Sequence, residues 1–190
     1  MHRLQLLQRV NKAWLEFKES YAGLSDSQIL EPGVQGRWSV RDILAHVTTW
    51  EEEALMHLPL ILEGGRPPRY SARYGGIDAF NALMTERKRD LSLAEVRRQL
   101  DEVHGRLIDY VHGAPEELLT RETRFRRRLR LDAYGHYPKH ARAIRAWRER
   151  APPRRTSAGG PAAACRSLRP LATAPPATPD RSRTGTSHRS

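Results

Sequence analysis

Apolar residues return every three or four positions through most of the first 150 residues, and that spacing constrains the fold more than any other feature of the chain. Leu4, Leu7, Val10, Trp14, Phe17 and Tyr21 form one stripe, predicting a first helix that ends near Gly23. Ser25 with Gln28 has the form of a capping box for a short turn that Pro32-Gly33 closes. Ser39 with Asp42 opens a second helix, whose Val40, Ile43, Val47, Trp50 and Ala54 share a face until Pro59 or the Gly64-Gly65 pair. Residues 64–76 read as a Gly, Pro and Arg loop. A third helical region starts at Asp78 with Phe80, Leu83 and Met84, and Ser92 with Glu95 caps a run through Val96, Leu100, Val103, Leu107 and Val111. The spacing leaves open whether 78–112 is one kinked helix or two. Pro115 suits the start of a short turn, Arg121 to Arg130 reads as a polar loop, and a last helix holds Ala141, Ile144 and Trp147. With no sustained strand alternation and no solenoid repeat, the fold class is all-α, with four main helices around one core.

The composition changes at Ala151-Pro152-Pro153. Beyond it Pro, Ala, Ser, Thr, Gly and Arg dominate and aromatics vanish, so the segment has too little apolar area to offset its ordering entropy. The expected organisation is a helical bundle over 1–150 and a disordered tail over 151–190. That tail carries seven Arg against one Asp, more than half of the net charge of +11. The bundle is therefore only mildly basic, and the total charge is poor evidence for a nucleic-acid partner.

The lone cysteine, Cys165, lies in the tail and rules out an internal disulfide framework or a Cys-rich zinc module. No stretch approaches a membrane span, and the first residues lack the pattern of a secretion signal; a cytoplasmic protein without a membrane partner is expected. A homodimer is compatible with the sequence.

Three of the eight histidines stand out: His46 in the second helix, and His136 with His140 in Gly135-His136-Tyr137-Pro138-Lys139-His140. Residues four apart on a helix share a face, so the latter two can turn toward one ion, and three neutral imidazoles suit a divalent metal such as zinc or nickel. Pro138 disfavours helix at the residue before it and puts His136 just outside a helix beginning near 138. His46 projects at the edge of its apolar stripe, a place open to a ligand lining a pocket and to a surface histidine alike.

The stretch Pro32-Gly33-Val34-Gln35-Gly36-Arg37-Trp38-Ser39-Val40-Arg41-Asp42-Ile43-Leu44-Ala45-His46-Val47-Thr48-Thr49-Trp50-Glu51 resembles the second-helix signature of DinB-like four-helix bundle proteins, and more closely their ClbS/DfsB branch. Gly135-His136-Tyr137 through Ala143-Ile144-Arg145-Ala146-Trp147 resembles the closing segment of that branch, and the likeness runs from about residue 5 to 149. The resemblance implies an up-down-down-up bundle in which His46, His136 and His140 fall on metal-ligand positions. It also implies activities that range from metal-dependent thiol transfer and isomerisation to protection against a reactive genotoxin. Some members of the branch lack the second histidine of the closing pair; this chain keeps it as His140.

Glu51 follows Val47 by four and precedes Ala54 by three, so it projects into the apolar stripe. A carboxyl there has a raised pKa and is the candidate general base, with a buried ion pair to an arginine as the plainer reading. Trp38 and Trp50 are candidates to stack on a substrate, though aromatics at helical spacing also serve as core. Arg124, Arg126, Arg127, Arg128 and Arg130 around Phe125 read as a solvated loop. The function expected is that of a metal-binding bundle acting on a small reactive molecule by hydrolysis or thiol transfer. Its rivals are a non-catalytic sequestering bundle and, ranked last, a nucleic-acid-associated protein using the tail.

Overall fold

A computed structural model of the protein describes residues 2–150; the segment expected to be a disordered tail lies outside the described residues. In chain order the elements are α1 (Arg3–Tyr21), α2 (Asp26–Leu30), β1 (Pro32–Gln35), β2 (Trp38–Ser39), α3 (Val40–Leu62), α4 (Tyr70–Tyr74), α5 (Ile77–Arg87), α6 (Leu93–Gly113), α7 (Glu116–Thr120), α8 (Arg124–Asp132) and α9 (Tyr137–Arg150). Among the described residues the fold is all-α apart from one short hairpin. α3 packs along α6 and α8, and α1 lies along α9.

Local sequence accounts for several helix starts. The side chains of Ser25, Ser39 and Ser92 accept from the backbone N–H groups of Gln28, Asp42 and Glu95, satisfying donors that the first turn leaves unpaired. Packing selects the faces. In α1, Leu6, Val10, Ala13 and Phe17 take the innermost stripe, while Leu4 near the helix end is 66% exposed, contrary to its expected place in the core. The core joins these residues to Ile43, Leu44, Val47 and Leu58 of α3, Leu100 and Leu107 of α6, and Ala141 and Ile144 of α9.

Three local expectations change, at 32–39, 64–76 and 121–130, and two open alternatives are settled, at the end of α3 and within 78–112. Residues 32–39 form an antiparallel hairpin that pairs Pro32 with Ser39 and Gln35 with Trp38, its turn made by Gly36 at φ 61°. It is too short to show strand alternation. Pro59 sits inside α3, which continues to Leu62. The loop at 64–76 contains α4, and the 78–112 region divides into α5 and α6. At that division the Arg41 guanidinium, from the first turn of α3, donates to the carbonyls of Lys88, Arg89 and Leu91. The Arg-rich segment expected to be a loop is the helix α8: Thr123 caps it, and Phe125 and Leu129, four apart, are fully buried. Its five arginines occupy the remaining directions, Arg124, Arg127 and Arg130 exposed and Arg126 and Arg128 half-buried. Among the described residues, no helix is long and apolar enough to cross a membrane.

Candidate metal centre

The turn between α8 and α9 places the closing pair of histidines. The Gly135 N–H donates to the Arg130 carbonyl at 2.9 Å and the His136 N–H to the Ala133 carbonyl at 2.7 Å. A Cβ on Gly135 would stand 2.6 Å from the Arg130 carbonyl oxygen, so this tight turn requires glycine. His136 therefore immediately precedes α9, and Pro138 falls in the first turn, where its missing N–H has no helical partner to lose. His140 lies one turn on, with its side chain on the same side. His46 comes from the second turn of α3.

The three side chains converge. His46 Nε2 is 3.2 Å from His136 Nε2, which is 2.9 Å from His140 Nε2, and one nitrogen from each ring lies within 4.8 Å of the others. An imidazole nitrogen offers either one N–H or one lone pair in the ring plane, so His136 Nε2 cannot form two good hydrogen bonds with its neighbours at once. A cation shared by three lone pairs removes that conflict, and in this respect the donor set suits a divalent metal. Burial holds all three rings in the neutral form that a ligand requires. It is the leading cause that lowers His46 to about 3, His136 to about 2 and His140 to about 4, with further lowering by His140 at His46, by His140, His46 and Lys139 at His136, and by Lys139 at His140. Nδ1 of His140 is buried without a protein partner. So is Nδ1 of His136 by hydrogen-bond geometry, the Asp132 backbone exerting only a weak upward pull on that ring. Protein atoms thus leave the outer nitrogens of the closing pair unanchored.

His136 also forms part of the wall of a cavity of about 400 Å³. Trp50 and Tyr70 stand on it with ring centroids 5.5 Å apart, and Ile77 and Leu131 are exposed on its rim. The Trp50 indole N–H donates to Asn81 Oδ1 at 3.2 Å. Arg128 donates through Nη2 to the Tyr70 hydroxyl at 2.8 Å and through Nε to Asp132, and the Tyr70 hydroxyl donates to Glu53. Desolvation raises the Asp132 carboxyl to about 7 against the opposing pull of Arg128. Trp38 does not line this cavity; its ring lies 4.8 Å from that of His46.

Glu51 is brought elsewhere. Five residues beyond His46 on the same helix, it is rotated about 140° away and is completely buried. Its Oε1 meets Nδ1 of His104 at 2.7 Å and accepts from the Tyr137 hydroxyl at 2.5 Å, while Oε2 has no partner. Its partner is thus a histidine rather than the arginine expected, and it lines no part of the cavity beside His136. Trp14 stacks flat on His104, with centroids 3.7 Å apart. Sequence reasoning did not single out His104, although it lies four after Leu100 and three before Leu107 and so points inward like Glu51. It also passed over Tyr70, Asn81 and Asp132 and read Arg128 as part of a solvated loop, since no spacing connects them to the histidines.

The fold has counterparts among solved structures. The fold is similar to that of DfsB, described as a sibling lethal factor precursor, at 18% identity and a TM-score of 0.64, covering 78% of this chain and 96% of that one. It is also similar to the colibactin self-resistance protein ClbS in complex with a dsDNA, at 12% identity and a TM-score of 0.67, covering 80% and 98%. An uncharacterised protein from Escherichia coli UTI89 matches at 14% identity and a TM-score of 0.65, covering 78% and 93%. No curated protein sequence matches the chain. Residues 9–143 match the DinB superfamily, and the chain belongs to that family.

Proposed function

We propose that His46, His136 and His140 hold a divalent metal ion, zinc or nickel, and that the protein acts on a small reactive molecule by hydrolysis or thiol transfer, in detoxification or self-protection. The observation that carries this reading is the convergence of three buried, neutral imidazoles on one point at the edge of a cavity. Lewis acidity is what such an ion supplies when bound, bringing a water or thiol nucleophile within reach of neutral pH. The chain's own residues do the rest. His136 belongs both to the triad and to the cavity wall, Trp50 provides an apolar face for the substrate, and Trp38 shields His46. Glu51 acts indirectly, by holding Tyr137 and with it the start of α9. The description of ClbS as a self-resistance protein supports the protective role.

Elemental analysis of the untagged full chain tests the reading, alongside a His46→Ala, His136→Ala, His140→Ala variant. Near-stoichiometric metal that the variant loses is the expected result; a protein that cannot be loaded, or a variant that retains its metal, would sink it. The cavity also supports a sequestering protein without turnover, for which recovery of unaltered ligand is the mark. Nucleic acid re-enters as a reading because the ClbS structure holds a dsDNA and residues 121–150 carry eleven basic against three acidic side chains. Salt-sensitive binding of duplex DNA by the full chain would support it.

A further inference from the structure

The cavity beside the triad has a chemical polarity of its own. Trp50, Tyr70, Ile77 and Leu131 give it apolar and aromatic surface, suited to a flat or unsaturated body. The remaining polar wall is rich in unused donors. The indole of Trp50 is a donor only, so it fixes the Asn81 side chain with Oδ1 toward the ring and leaves the Nδ2 amino group without a protein partner among the described residues. Arg128 spends Nε on Asp132 and Nη2 on Tyr70, which leaves Nη1 unpaired by hydrogen bonds. The side-chain ammonium of Lys139, one residue before His140, has no hydrogen bond or ion pair among the described residues, whereas its backbone N–H donates to the His136 carbonyl. The Arg128 charge is balanced by Asp132 and by Glu53, whose Oε2 is 4.0 Å from Nη2. The Lys139 ammonium is the one cation on this wall without a carboxylate beside it among the described residues.

We infer that the substrate of this cavity is a small molecule with an aromatic or conjugated body and an anionic group, a carboxylate in the simplest case, which Lys139, Asn81 and Nη1 of Arg128 receive. The inference rests on the proposed function for the place where reaction occurs, and it adds the substrate class. Seated this way, the ligand puts its anionic end on the donor wall and the opposite end against His136. The aromatic faces supply affinity, and the donors supply orientation and discrimination between charged and neutral analogues.

Isothermal titration of the chelator-treated full chain with 2-naphthoate and with its neutral counterpart 2-naphthamide tests this without a metal to attract the carboxylate. The naphthoate should bind about tenfold more tightly at low salt, as expected for one charge-assisted hydrogen bond. Lys139→Gln should remove most of that preference by weakening naphthoate far more than naphthamide, and Trp50→Leu should weaken both ligands. Equal affinities, or no binding of either, would overturn the inference. The histidine triple variant separates the two readings. If it keeps the naphthoate preference but has lost metal, both stand. If it loses the preference while Lys139→Gln keeps it, the carboxylate sits at the histidines and the inference fails. Elemental analysis reports on the metal reading independently of either outcome.

Discussion

Oε1 of Glu51 lies 2.7 Å from Nδ1 of His104, in a part of the core where α3 and α6 leave Glu51 no solvent. Burial raises the Glu51 carboxyl above the ordinary glutamate value of 4.5, with the hydrogen bond and charge of His104 as the main opposing influence. A carboxyl with a raised folded-state pKa binds its proton more tightly in the folded protein. Its stabilising contribution is present at low pH and is lost as pH rises from about 4.5 through the raised value. Glu51→Gln should flatten that part of the stability profile, as followed by denaturant unfolding at a series of pH values.

Tyr137 is fully buried, and its hydroxyl donates to the same carboxylate. Tyr137→Phe keeps the ring contacts with Trp14 and Phe17 but removes a donor from a group whose other oxygen is already unpartnered. The expected loss is about 1–3 kcal/mol, read from the midpoint of chemical unfolding. If Glu51 and Tyr137 also position α9, metal affinity should fall by less than on removal of a ligand.

The histidine triad should make the metal-free protein acid-sensitive from a different side. His46, His136 and His140 titrate well below 6.5 in the folded state because of burial, whereas the unfolded chain takes up protons near 6.5. Stability contributed by the neutral rings is complete above that value and is lost as pH falls through it toward 4, on the order of 1 kcal/mol per pH unit per ring. The triple alanine variant should lose this slope. Saturating metal should shift the midpoint to lower pH in the parent protein alone, since protons and metal compete for the same nitrogens.

Gly135 and the turn it makes lead to a prediction about geometry rather than ligation. Gly135→Ala places a Cβ against the Arg130 carbonyl and must displace the turn that carries His136. Metal affinity should drop with all three ligands still present, while far-ultraviolet circular dichroism keeps its helical signal.

In α8 the buried pair Phe125 and Leu129 should dominate over the arginines around them. Phe125→Ala should cost about 3–5 kcal/mol, as for a large core truncation, whereas Arg127→Ala should stay within about 0.5 kcal/mol. A small effect at Phe125 would return this segment to the loop that its composition suggested.

The sequence by itself determined the helices that have their own start signals and apolar stripes. Ser39, Asp42, Val40, Ile43 and Val47 specify the beginning and buried face of α3 through local hydrogen bonding and a 3.6-residue period, and neither depends on distant partners. The spacing of His136 and His140 similarly required only one helical turn. Tertiary structure alone decided what those elements meet. Ninety residues separate His46 from His136, and no periodicity measures the distance between two helices that pack together. The same packing sent Glu51 to His104, turned an arginine-rich segment into a helix around Phe125 and Leu129, and gathered Trp50, Asn81, Arg128 and Lys139 on one cavity wall. These are long-range relations, set by which faces of separate helices bury together, and a single chain read in order carries no direct record of them.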